Sequence, residues 1–153
     1  MKRIIVIDTN IAFSTFLNVN SRISQVLLNG NKYYDFYAPE YIKTELIEHK
    51  DRIKSIGKLD EERFLELFAL IMRNIRILNH SLIPKEYYQN AFDICKDIDI
   101  DDTAFIAIND FVRGRLWTGD KKLIYGLTSK GYKRIIITNE IFSDFIRKIN
   151  KQK

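Results

Sequence analysis

With 153 residues, 46% of them hydrophobic and 29% charged, the chain has the size and balance of one globular domain with a single core, which excludes a disordered, collagen-like or disulfide-dense protein. A formal charge of +5 and an isoelectric point near 9.2 suit a polyanionic partner, because cations near phosphates gain affinity from released counterions. The single cysteine, Cys95, closes no internal disulfide; the apolar runs fall far short of the roughly 20 residues that cross a bilayer, and Asp8 and Asn10 interrupt the first of them, so a cytoplasmic protein with no membrane contact is expected.

Lys2 to Ile7 is a short β-branched run ending at Asp8 and reads as a buried strand. A helix follows, with Asn10 or Ser14 as its cap, then a second capped by Ser21 and stopped at Asn29-Gly30-Asn31. Tyr34 to Tyr37 predicts a second strand, and Pro39 the first turn of a helix that carries Glu45. From Asp60 to Met72, Phe64, Leu67, Phe68 and Ile71 recur at steps of three and four, which marks an amphipathic helix. Ile75 to Leu78 offers a third strand. Pro84 opens a helix through Cys95, a core position, and Asp101 or Asp102 caps the next, which Gly114 stops.

Leu116 to Thr118, Lys121 to Ser129, Arg134 to Ile137 and Glu140 to Lys148 then predict strand, helix, strand and helix. Alternation of this kind gives an α/β fold: a three-layer sandwich with a central, mostly parallel five-stranded sheet, flanked by helices through right-handed crossovers. Residues 1–148 form one domain and 149–153 a basic tail.

Asp8 and Asp120 each follow a predicted strand, at the sheet edge where such folds bind ligands. Either alone is equally well explained as a helix cap; two together favour a site. Asp97-Ile98-Asp99-Ile100-Asp101-Asp102 packs four carboxylates into six residues, and like charges that close repel unless a cation or helix dipole offsets them. An EF-hand loop is excluded, since its sixth and twelfth positions are Asp102 and Ile108 instead of Gly and Glu. Glu45 shares its helix with Glu48 and Lys43, and spacing alone does not single it out.

Val6-Ile7-Asp8-Thr9-Asn10, Pro39-Glu40-Tyr41 leading to Glu45-Leu46, Asp99-Ile100-Asp101-Asp102-Thr103-Ala104-Phe105, and Trp117-Thr118-Gly119-Asp120-Lys121-Lys122 together resemble the PIN-domain family of nucleases, in order and spacing, from about residue 3 to 145. The likeness is to its small single-domain, VapC-like members. It implies Asp8, Glu45, Asp102 and Asp120 as catalytic and metal-holding acids, with Asp99 as the extra metal-holding acid of the third motif, Asp101 its alternative, and Asn10 and Thr118 as auxiliary polar groups.

The implied reaction is hydrolysis of phosphodiester bonds in single-stranded or looped RNA with Mg²⁺ or Mn²⁺, leaving 5′-phosphate and 3′-hydroxyl ends. Hard oxygen ligands suit either ion. Lys121 and Lys122, with Arg113 and Arg115, are expected as rim cations for the RNA, while His49 and His80 receive no ligand role. Tyr33, Tyr34, Tyr87 and Tyr88 are aromatics able to stack on unpaired bases, although strand and helix positions favour the core for them. The resemblance also implies the toxin of a toxin–antitoxin pair, a homodimer and an inhibitory antitoxin protein as partner; housekeeping RNA processing would use the same residues.

Two rivals differ in class. A phosphotransferase of the haloacid dehalogenase type needs a second Asp two residues after the first, where Asn10 stands. An inactive RNA-binding or scaffolding domain would keep the acids and bind without cutting.

Overall fold

In the computed structural model, which describes residues 1–153, five strands form one sheet: β1 (Arg3–Ile7), β2 (Tyr34–Pro39), β3 (Arg76–Leu78), β4 (Arg115–Trp117) and β5 (Ile135–Ile136). Their order is β3-β2-β1-β4-β5, and every neighbouring pair is parallel. Nine α-helices connect them: α1 (Thr9–Leu17), α2 (Arg22–Asn29), α3 (Tyr41–Glu48), α4 (Lys50–Gly57), α5 (Glu61–Arg73), α6 (Lys85–Cys95), α7 (Thr103–Val112), α8 (Lys121–Ser129) and α9 (Thr138–Lys151). A parallel sheet forces this layout, because each return to the same edge needs a crossover long enough for a helix.

β1 is central, and a strand buried on both faces reads as an unbroken apolar run. Ile5, Val6 and Ile7 are all fully buried. Alternation splits them: Ile5 and Ile7 enter the core shared with α1 to α5 and α9, and Val6 the core shared with α6, α7 and α8. Full burial of such side chains contributes about 1.5–3 kcal/mol each. Trp117 and Leu116 divide the same way on β4, and Cys95 lies buried in the second core as expected.

Strand order reverses between β1 and β4, the two strands that leave in opposite directions across the sheet. The crevice beyond the carboxyl ends of the strands at such a reversal is where open α/β sheets bind ligands. Asp8 N donates to the Trp117 carbonyl at 3.1 Å, carrying the β1–β4 pairing into that crevice.

Several expectations change. The cap of α1 is Asp8, whose carboxylate accepts from Thr9 N, and neither Asn10 nor Ser14; β1 runs into α1 with no linker, so the residue after the strand is already the cap. Pro39 ends β2, where it pairs with Leu78 of β3, and α3 starts later at Tyr41. α7 ends on Arg113 in the left-handed region, at φ 55°. Gly114, expected to make that stop, instead lets β4 approach β1: a Cβ there would stand 3.0 Å from Ile4 Cγ2 and 3.2 Å from Ile4 O. α4 is a helix that the apolar pattern does not predict. α9 runs to Lys151, so the basic end of the chain begins inside its last turn.

Candidate active site

Asp8 is only 6% exposed and is held by two donors: Thr9 N at 2.8 Å on Oδ1 and the Thr118 hydroxyl at 2.6 Å on Oδ2. Both belong to segments that leave the sheet at its reversal, so the fold delivers the donors with the acid. Thr118 also accepts from Asp120 N at 3.1 Å and from the Asn10 amide at 3.4 Å, and Asn10 accepts from Gly119 N at 3.3 Å. Asp120 caps α8 by accepting from Leu123 N at 3.2 Å. The turn after β1 and the turn after β4 are thus laced together through Thr118 and Asn10.

The next hydroxyl along, Thr9, donates to Glu45 Oε1 at 2.6 Å and tethers α3 to the same edge. The acidic segment comes from the other side, on a single 3₁₀ turn, Ile100–Asp102, in which Asp99 accepts from Asp101 N at 3.0 Å. That segment sits close to α8 because Gly126 has no side chain: a Cβ there would meet Ile98 Cδ1 at 2.6 Å. Asp97 turns away and pairs with Lys130.

The outcome is a cleft of about 350 Å³ with six carboxylates on its wall: Asp8, Glu45, Asp99, Asp101, Asp102 and Asp120. Every predicted acid is brought together. Asp99, Asp101 and Asp102 all reach the cleft, where one assisting acid, Asp99 or Asp101, is expected; the 3₁₀ turn fans them, with Asp99 acting on Asp8 and Asp102, and Asp101 on Glu45.

Burial and mutual repulsion shift these groups. Desolvation raises Asp8, with the Asp120 and Asp99 charges adding to it and the Thr118 and Thr9 hydrogen bonds opposing it. Desolvation likewise raises Glu45, against the Thr9 hydrogen bond and with the Asp8 charge. Asp102 is pushed furthest, to about 8, by burial first and then by the charges of Asp8, Asp99, Asp120 and Glu45. Its Oδ2 is buried with no hydrogen-bond partner. An orphaned acceptor among four acids is a place for a cation.

Oxygen-only donors fit Mg²⁺ or Mn²⁺. No three of the acids stand close enough to enclose an ion by themselves. These ions bind through one or two carboxylates while keeping several waters, so a wide donor set still fits them.

The expected cations are placed elsewhere. Lys121 and Lys122 are exposed in the first turn of α8 and do not line the cleft, since Leu123 and Leu127 take that helix's inward face. Arg113 and Arg115 precede β4 or begin it, at the end of the strand away from the cleft. The lining includes instead Thr9, Phe13, His49 and Arg52. The sequence holds a signal for the last two: Glu45, His49 and Arg52 follow one another at i, i+4 and i+7, the spacing of one helical face. Of the tyrosines able to stack on bases, Tyr34 is buried in the core, Tyr33 packs on it and Tyr87 packs edge-on against Phe111.

A family model described as PIN domain matches residues 6–147, nearly the full length of the chain. Comparison with curated proteins finds no match.

Proposed function

The chain belongs to the PIN-domain family, whose members are generally nucleases that use divalent metal ions, and on that premise we propose that it is an Mg²⁺- or Mn²⁺-dependent endoribonuclease cutting single-stranded or looped RNA. The observation that carries this reading is the convergence of six carboxylates at the sheet's reversal point, with Asp102 Oδ2 buried and unpartnered among them.

Asp8, Glu45, Asp102 and Asp120, with Asp99 beside them, are the acids that would hold the metal. When bound, a divalent ion makes water a better nucleophile at neutral pH and offsets the charge that develops on the phosphate. The protein's own part is positioning. Thr118 fixes Asp8 and the backbone of Asp120 through one hydroxyl, and Thr9 fixes Glu45. Both tethers hold carboxylates that would otherwise splay apart under mutual repulsion.

The family likeness extends the proposal to the toxin of a toxin–antitoxin pair, active in the cytoplasm and held by an antitoxin protein; co-purification with the neighbouring gene's product tests that role, and sedimentation tests the homodimer.

The deciding experiment is cleavage of a labelled, partly unpaired RNA with Mg²⁺ or Mn²⁺, with EDTA, and with folded Asp8→Asn and Asp120→Asn. Cutting that needs metal and falls at least about a hundredfold in both variants is expected, that being the scale of removing one electrostatic group from a reaction centre. Cutting that survives both substitutions overturns the mechanism, and metal-independent binding without cutting would make the protein an RNA-binding scaffold.

A further inference from the structure

α4 carries three cations within five residues, Lys50, Arg52 and Lys54. Two are taken: Lys50 and Lys54 both pair with Glu61 at the start of α5. Arg52 belongs to none of the molecule's ion pairs. Its guanidinium instead lies over the Phe13 ring, 5.6 Å from the centroid, and both residues line the acidic cleft.

An arginine that shares a cleft with six carboxylates and pairs with none is held away from them. The Phe13 face attracts the guanidinium through the ring quadrupole and restricts its wandering, so less rotamer freedom is lost when an anion arrives. The planar fork then matches two oxygens of one phosphate. Among the groups on the cleft wall, Arg52 is the one with a permanent positive charge.

We propose that Arg52, supported by Phe13, is a phosphate subsite of the cleft that receives a phosphodiester of the RNA strand neighbouring the one at the carboxylates. This rests on the nuclease reading. The subsite resolves a difficulty in that reading: a polyanion must approach an acidic wall, and a fixed cation on the same wall supplies an entry point before the metal-bound centre is engaged. It acts on binding and register, not on the bond being cut, so it is a positioning residue.

The test measures binding of a short labelled single-stranded RNA in the Asp8→Asn background with Mg²⁺, at several KCl concentrations, with Arg52→Met added, and cleavage kinetics of the single Arg52→Met variant. Arg63→Met serves as the control, removing the same charge from an exposed position on α5. Arg52→Met is expected to weaken binding about tenfold and to reduce the slope of log affinity against log salt by about 0.7, the value of one phosphate contact on a single strand. KM should rise while kcat stays nearly unchanged, and Arg63→Met should leave binding within about twofold. Unchanged affinity and slope in Arg52→Met, alongside wild-type cutting that Asp8→Asn abolishes, would overturn the subsite and leave the nuclease standing. Wild-type protein that neither binds nor cuts RNA with metal would overturn both.

Discussion

Asp102→Asn should make the metal-free protein more stable. The carboxyl of Asp102 is pushed up to about 8 in the folded chain, against an ordinary value near 3.9 once unfolded. A group raised on folding contributes its full stability below the unfolded value and loses it as pH climbs through the folded one. For Asp102 that window runs from about pH 4 to about pH 8. At pH 7 the difference spans about three pH units, each worth about 1.4 kcal/mol, so the ceiling is about 4 kcal/mol. Water and counterions at the open cleft mouth screen part of it, and about 2 kcal/mol is expected. The Asn amide keeps the side chain's shape and removes the charge.

The assay is thermal or urea unfolding in EDTA at about pH 5 and about pH 7.5, where the gain of Asp102→Asn should be small at the first and near its full size at the second. About 2 kcal/mol corresponds to a rise of roughly 4–8 °C in a domain of this size. Millimolar Mg²⁺ should stabilise wild type more than the variant, because wild type has the larger repulsion to relieve. A variant no more stable than wild type at about pH 7.5 in EDTA, or a difference that does not shrink toward about pH 5, would refute the electrostatic account of the cleft.

Thr118→Val removes the donor to Asp8 Oδ2 and the acceptor for Asp120 N while keeping the buried volume; a loss of about 1.5–3 kcal/mol in urea unfolding is expected, with Thr118→Ser close to wild type. Equal stability of the two variants would mean that the hydroxyl holds nothing. The Cys95 thiol is pushed up to about 12, chiefly by burial, so in native protein at about pH 8 it should resist an alkylating reagent and react fully in urea; rapid native labelling, followed by mass spectrometry, would count against the second core.

Asp8 and Asp120 are legible in the sequence as site residues. Asp8 stands directly after an apolar β-branched run and Asp120 just beyond Leu116-Trp117, past Thr118 and Gly119, and a parallel sheet puts the residues that follow its strands on one edge. The 97–102 segment advertises itself by crowding. Glu45 does not, because a helix face with several charges looks solvated; only its place in a four-part pattern singles it out.

α4 is hidden because a helix that buries a single residue, Ile53, has almost no apolar stripe to read. Arg52 lies on that helix, its one signal being the i+7 step from Glu45, and Lys121 and Lys122 stand in its place on the strength of adjacency in sequence. Phe13 and Thr9 are invisible for a different reason: their roles are contacts with residues 39 and 36 positions away, which no local pattern encodes.

Trp117 is the one tryptophan of the chain; it is fully buried, with its indole N–H donating to the Thr138 hydroxyl at 3.1 Å, and it is the residue immediately before Thr118. The protein therefore carries an intrinsic optical reporter at the shoulder of its acidic cleft. Its emission should sit toward the blue while the core is intact and move to the red in a single step as the sheet comes apart. One cuvette measurement can thus follow unfolding, and the effect of each substitution on it, without a label.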